Sequence, residues 1–201
     1  MHRPALLCNP YPGPVRMPHP AVHGLGWGIM QWDIFDVRLE GSRIEVQAYW
    51  RVPWPRPWVF SVLMDFERMP DWMSRLEESV VLDRTPQRMR VRQVGRFLGL
   101  SLAVDLEVRW VEPERIEFAQ IRGSFDRFEG VWTLQALEDV PEGTRIGYEL
   151  KAAHPLARLA VWISPYVRTE VQEQLEGLDA YMRRLWSPPK SDPSPPPTAG
   201  L

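Results

Sequence analysis

From Arg43 to Val52 apolar and polar residues alternate without interruption. Ile44, Val46, Ala48 and Trp50 fall on one side, and Arg43, Glu45, Gln47 and Tyr49 on the other. A period of two predicts a half-buried strand. The same signature recurs over residues 78–83, Arg88–Phe97, Leu100–Val111, 115–121, 128–137 and 145–152. In Arg88–Phe97, Met89, Val91 and Gln93 oppose Arg88, Arg90 and Arg92. In Leu100–Val111, Leu102, Val104, Leu106, Val108 and Trp110 oppose Ser101, Ala103, Asp105, Glu107 and Arg109. Turns as short as Thr85-Pro86-Gln87 and Glu112-Pro113-Glu114 join the neighbours. Strands so close in sequence predict an antiparallel meander.

Two segments change period. Pro53, Pro55 and Pro57 end the first strand and open a helix over 58–67, since proline suits a first turn. Trp58, Val62 and Phe66 share one face of it, and Met69-Pro70-Asp71-Trp72 breaks it. Near the C-terminus, Val167, Val171, Leu175, Leu178, Met182 and Leu185 recur at threes and fours, opposite Arg168, Glu173, Glu176 and Arg183. Ser164 as N-cap and Pro165 at the first position place this helix at 165–186. At 1.5 Å per residue such a helix spans roughly 33 Å, the width of a six- or seven-strand sheet at about 4.8 Å per strand. The expected fold is α+β: a curved antiparallel sheet of six to seven strands wrapped around a long C-terminal helix. The space between them is either packed core or a cavity.

Of 201 residues, 21 are proline, and they crowd the ends. Residues 1–32 read as a Pro/Gly-rich extension without regular structure, with a start at Met30 as one explanation; 187–201 read as a Pro/Ser-rich tail. The folded unit is then 33–186. A net charge of −2 provides no broad basic field, which argues against nucleic acid as a partner. The lone Cys8 excludes an intrachain disulfide and suits a reducing compartment. No apolar run reaches the length of a membrane span, and Ala5-Leu6-Leu7-Cys8 is too short for a signal-peptide core. A cytoplasmic protein is expected, and nothing in the pattern specifies an oligomeric state.

Two groups of residues carry a family resemblance. Val62-Leu63-Met64-Asp65 with Pro70-Asp71-Trp72 looks like a first-helix signature. Phe128-Glu129-Gly130-Val131-Trp132-Thr133-Leu134 followed by Gly143-Thr144-Arg145-Ile146-Gly147-Tyr148 looks like a penultimate-strand signature. With the element order, these resemble the helix-grip fold of the START-like (SRPBCC) superfamily, in its polyketide cyclase/dehydrase and coenzyme Q-binding branch. The resemblance covers about residues 42–186. The aromatic lead (Trp27, Trp32, Phe35) lies outside the family core, and no family catalytic residue carries over.

The resemblance implies an elongated pocket between the concave sheet face, the first-helix region and the last helix. Alternation assigns to that face Val91, Gln93, Leu102, Val104, Phe118 and Gln120, and further along Trp132, Leu134, Tyr148 and Leu150. Ile163, just before the last helix, and Val167 and Val171 on it would face them. Ordinary core packing is the plain alternative for each. Gln93 and Gln120 are the sharper clues, because an inward amide needs a partner or a ligand oxygen.

His154 beside Pro155 reads as a loop histidine at the rim, with a catalytic base as the alternative. Asp105, Glu107 and Arg109 read as cross-strand ion-pair members with groups such as Arg90 and Arg92. Asp65 reads as a local cap or pair. The sequence contains no metal-ligand cluster, phosphate-binding glycine loop, nucleophile elbow or cysteine–histidine pair, so no catalytic residue, metal or cofactor is assigned. Residues 156–163, ending in Trp162-Ile163, could form a lid that touches a membrane surface transiently; a short packed turn is the alternative.

These features point first to a carrier for a hydrophobic small molecule such as a lipid, quinone or isoprenoid. Burying roughly 300 Å² of ligand contributes on the order of 7 kcal/mol before association entropy. The alternatives are a polyketide-type cyclase, aromatase or dehydratase, and a ribosome-associated toxin-like interaction protein using Arg88, Arg90 and Arg92 as a basic stripe.

Overall fold

Alternation and proline placement resolve into β1 (Trp32–Glu40), β2 (Arg43–Val52), α1 (Arg56–Met64), a 3-10 helix (Phe66–Asp71), β3 (Leu76–Arg84) and β4 (Arg88–Phe97). There follow β5 (Leu100–Val111), β6 (Arg115–Gly123), β7 (Arg127–Ala136), β8 (Thr144–Ala153) and α2 (Ala160–Leu185). The computed structural model describes residues 30–97, 99–140, 142–155 and 160–186, with side chains from 165 onward in the last stretch. The two terminal stretches (1–29 and 187–201) lie outside the described residues, as does most of the expected 156–163 lid.

The strands form one antiparallel sheet in the order β1-β2-β8-β7-β6-β5-β4-β3. The meander from β3 to β8 matches the expectation from short turns, and β8 returns to lie beside β2. This is the helix-grip α+β architecture, with eight strands rather than six or seven. The additional strand is β1. A bulge between Trp32 and Ile34 breaks its alternation and hides it from a period-two reading. It brings Trp32 within 4.8 Å of Phe35 and 5.5 Å of Trp50, ring centre to ring centre. Part of the aromatic lead is therefore an edge strand that extends the sheet. Arg168 of α2 stacks on Phe35 at 5.0 Å and donates to its carbonyl at 3.4 Å.

The helices differ from expectation at their ends. α1 stops at Met64, and the chain continues as the 3-10 helix containing Pro70. Asp65, at ψ 68°, lies outside helical geometry and separates the two. α2 begins at Ala160, so Ser164 is not its N-cap and Pro165 lies inside it. Proline there removes one N–H that would reach the Val161 carbonyl, a single loss near the helix start.

Inward-facing Val46, Ala48 and Trp50 are sealed from solvent, as are Met89, Val91, Ile116 and Ile146 from the other strands. α2 covers them with Leu175, Leu178 and Met182. It approaches closely because residue 177 is glycine: a Cβ there would collide with the Trp72 carbonyl oxygen. Thr144 ties the sheet to the approach to α1, donating its hydroxyl to the Trp54 carbonyl at 2.6 Å.

The convex face is laced with ion pairs. Arg92 binds Asp105 through two bonds of 2.8 and 3.1 Å, the expected cross-strand pair. Arg88 reaches Glu107 at 3.4 Å, and Arg109 meets the same carboxylate group. Arg90 turns instead to Asp83 on β3 at 3.3 Å.

Candidate functional site

Between the concave face, the 3-10 helix and α2 the packing is incomplete, and two neighbouring spaces remain. The outer one, about 180 Å³, is walled by Phe97, Leu102, Val104 and Phe125, with Arg75 and Glu170 at its mouth. The inner one, about 40 Å³, is walled by Phe66, Met69, Trp72, Leu106, Phe118 and Trp132, with Tyr148 at the same depth. Met73, Gln93, Phe128 and Gln174 border both, forming the neck.

Indole and phenyl groups occupy most of the interior. Trp132 and Tyr148 stand 4.2 Å apart, Phe118 and Tyr148 are stacked at 6.5 Å, and Phe118 meets Phe128 at 5.9 Å. Phe128 in turn meets Phe125 at 4.9 Å, so rings continue from the neck to the mouth. Such surfaces favour flat apolar partners.

Few polar groups reach this space. Gln93 is buried, and its Nε2 is directed at Ser79 Oγ and Met69 Sδ, both at 3.3 Å. Tyr148 is buried with its hydroxyl hydrogen-bonded to Gln174. Burial raises the Tyr148 pKa well above the usual phenol value; the Gln174 contact opposes this weakly, and the group stays neutral. The Trp72 indole N–H is buried with no acceptor among the described residues. At the mouth Arg75 pairs with Glu170 at 3.2 Å, linking the segment before β3 to α2.

Of the residues singled out from sequence, Gln93, Leu102, Val104, Phe118, Trp132 and Tyr148 come together around these spaces. Val91, Leu134 and Val167 are packed core, and Leu150 and Val171 lie partly buried against it. Gln120 does not border the cavity. Its amide donates to the Phe125 carbonyl at 2.8 Å and accepts from the Phe125 N–H at 3.4 Å, so it positions a wall residue instead. The side chain of Ile163 lies outside the described residues.

His154 is half-buried, edge-on to Phe125 at 5.4 Å, with its backbone N–H on the Ser42 carbonyl at 3.0 Å. Asp65 faces Arg68 at 3.8 Å, and burial raises its carboxyl pKa.

Sequence reasoning missed Gln174, Met73, Phe125 and Phe128. Only Gln174 left a signal: it falls on the apolar stripe of α2, three residues after Val171 and four before Leu178.

A depression of about 430 Å³ lies on the convex face between Glu107, Arg109, Arg115 and Glu117. Arg109 pairs with Glu107 at 2.8 Å and Arg115 with Glu117 at 2.6 Å, so these charges satisfy one another. The smaller interior space has the apolar walls and convergent polar groups of a ligand site.

Comparison with known proteins agrees with this geometry. The family described as polyketide cyclase / dehydrase and lipid transport matches residues 52–180. A structure from Thermus thermophilus is similar at 26% identity and TM-score 0.60, covering 71% of this chain and 96% of that one. A START superfamily protein from Mycobacterium smegmatis aligns at 19% identity and TM-score 0.55, covering 69% and 98%. The Zhui aromatase/cyclase from a Streptomyces species aligns at 17% identity and TM-score 0.58, covering 71% and 96%. The last two show a shared fold alone. No curated protein matches in sequence.

Proposed function

The chain belongs to the polyketide cyclase/dehydrase and lipid transport family, and from that premise we propose that it binds a hydrophobic small molecule between its sheet and C-terminal helix. The observation that carries this reading is the two-part interior space, ring-walled and narrowed at Gln93 and Gln174. In a core packed only for stability, such polar groups would be unnecessary and the gap would be filled. Apolar burial supplies affinity, and the amides supply orientation.

Both spaces are smaller than the roughly 300–1,000 Å³ of drug-sized sites. The favoured cargo is therefore compact, or a longer molecule whose remainder leaves through the mouth. Among the described residues no helix is long and apolar enough to cross a membrane, and a membrane contact of residues 156–163 belongs to this proposal only as a route of loading.

A second reading, a cyclase or aromatase, is favoured by the polar groups Gln93 and Gln174 at the neck with Tyr148 beyond them, and by the likeness to an aromatase/cyclase. Such a pocket would act by holding a reactive chain in a productive shape. The ribosome-binding reading has no observation of its own in its favour: Arg88, Arg90 and Arg92 each face a carboxylate on the sheet.

Native mass spectrometry of the protein from its own host, followed by solvent extraction, tests the proposal. A copurified apolar molecule is expected. An empty protein that turns over model polyketides would replace the first reading with the second.

A further inference from the structure

Phe125 stands in the short connection between β6 and β7, a kind of segment that ordinarily moves more than the strands it joins. Here the connection is tied to three strands. Gln120 of β6 uses both ends of its amide on Phe125: Nε2 donates to the carbonyl at 2.8 Å, and Oε1 accepts from the N–H at 3.4 Å. Ser124 pairs in the same way with Ala103 of β5. Its N–H donates to the Ala103 carbonyl at 2.9 Å, and its Oγ accepts from the Ala103 N–H at 3.0 Å. The Asp126 N–H donates to the Ala153 carbonyl of β8 at 2.9 Å. Glycine at 123 leaves room for these bonds, since a Cβ there would lie 2.5 Å from the Ala103 carbonyl oxygen and 2.7 Å from Gln120 Oε1.

With the backbone held at the residue itself and on both sides of it, the Phe125 ring packs against Phe128 at 4.9 Å and edge-on to His154 at 5.4 Å. It forms part of the wall of the outer chamber, the space of about 180 Å³. A wall fixed in this way costs little to order when a ligand arrives. It also cannot yield to a wider ligand without giving up hydrogen bonds, so it selects by clash rather than by attraction.

Resting on the binding reading above, we propose that Phe125 is a specificity-determining residue whose ring limits the width of the ring system the outer chamber admits, and that Gln120 is the positioning residue that holds it there. Ser124 supports the same connection from β5. The favoured ligand is then a narrow fused-ring molecule, and a broad one is excluded at this wall.

Equilibrium dialysis of the full chain with naphthalene and with the wider pyrene tests this. Apolar area alone favours the larger molecule, so a preference for the smaller is the mark of a wall. The wild type is expected to prefer naphthalene by about tenfold or more, the order of an overpacking clash. Phe125→Ala should reverse the order, and Phe125→Leu serves if that variant does not fold. Gln120→Leu should bring the two ligands within about twofold of each other while naphthalene affinity stays within about threefold of wild type, a change of ratio that mere loss of stability does not produce. Ser124→Ala, at an exposed position, should narrow the ratio in the same direction. A wild type that prefers pyrene overturns the wall and leaves the binding reading standing. A preference for naphthalene that survives Phe125→Ala or Phe125→Leu overturns the role of Phe125. A ratio unmoved by both Gln120→Leu and Ser124→Ala overturns the positioning role. Failure of both ligands to bind overturns the binding reading, and this inference with it.

Discussion

The ring of Phe118 occupies the space where a side chain on Gly130 would begin: a Cβ there would lie 2.5 Å from Phe118 Cζ and 2.5 Å from the Glu149 carbonyl oxygen. The two residues are register partners on β6 and β7. The missing side chain lets the ring lie across the sheet, where it forms a wall of the inner chamber.

Gly130→Ala should therefore act on stability and on the pocket together. Overpacking of this kind costs about 1–3 kcal/mol, readable as a lower urea midpoint at unchanged slope. Because Phe118 must swing away from β7, ligand affinity should fall further than stability. A variant as stable as wild type and equally able to bind would show that the ring has another place to go.

Trp132 joins Tyr148 at 4.2 Å and Trp50 at 6.4 Å at the buried centre. Trp132→Ala should cost about 3–5 kcal/mol. It also enlarges the inner chamber, so surviving folded protein should accept bulkier ring ligands than wild type. Chemical denaturation with a ligand-size series checks both halves.

The Arg75–Glu170 pair at the mouth is largely exposed on the arginine side, and such pairs contribute about 0–1 kcal/mol. Arg75→Ala should leave the melting temperature within a few degrees of wild type. Stopped-flow exchange should show faster ligand release, because the segment before β3 is no longer tied to α2. Unchanged release would mean that the ligand leaves by another path.

Burial raises the Asp65 carboxyl pKa, with Arg68 opposing. A raised carboxyl pKa means that folding favours the protonated form. Its contribution is then most favourable below the ordinary aspartate value of about 3.9 and is lost as pH rises through the raised value. Asp65→Asn should melt higher than wild type at pH 7, and the difference should close as pH falls below the ordinary value. Melting curves from pH 3 to pH 8 decide it; a difference that grows in acid would show that the Arg68 pair dominates.

Much of the architecture is legible along the chain. Met89, Val91 and Gln93 face inward and Arg88, Arg90 and Arg92 outward because successive side chains of a strand take opposite faces. β1 escaped because its bulge between Trp32 and Ile34 breaks that rule. Gln174 was visible as an amide in an apolar stripe, yet a lone polar residue there is equally the sign of a helix edge. Gln120, with the same pattern as Gln93, proved to hold Phe125, since its partner is a backbone five residues away.

By itself the sequence determined seven of the eight strands, their faces and the long covering helix, and its motifs carried the family resemblance. The strands and the helix follow from periodicities of two and 3.6, which are properties of neighbouring residues. Only the tertiary structure decided which inward residues meet a space and which meet one another. Val91 and Gln93 share a strand and a face, yet Val91 is sealed in core while Gln93 borders both chambers. The difference depends on where the 3-10 helix and α2 come to rest, set by contacts such as Gly177 against the Trp72 carbonyl, more than a hundred residues apart in the chain.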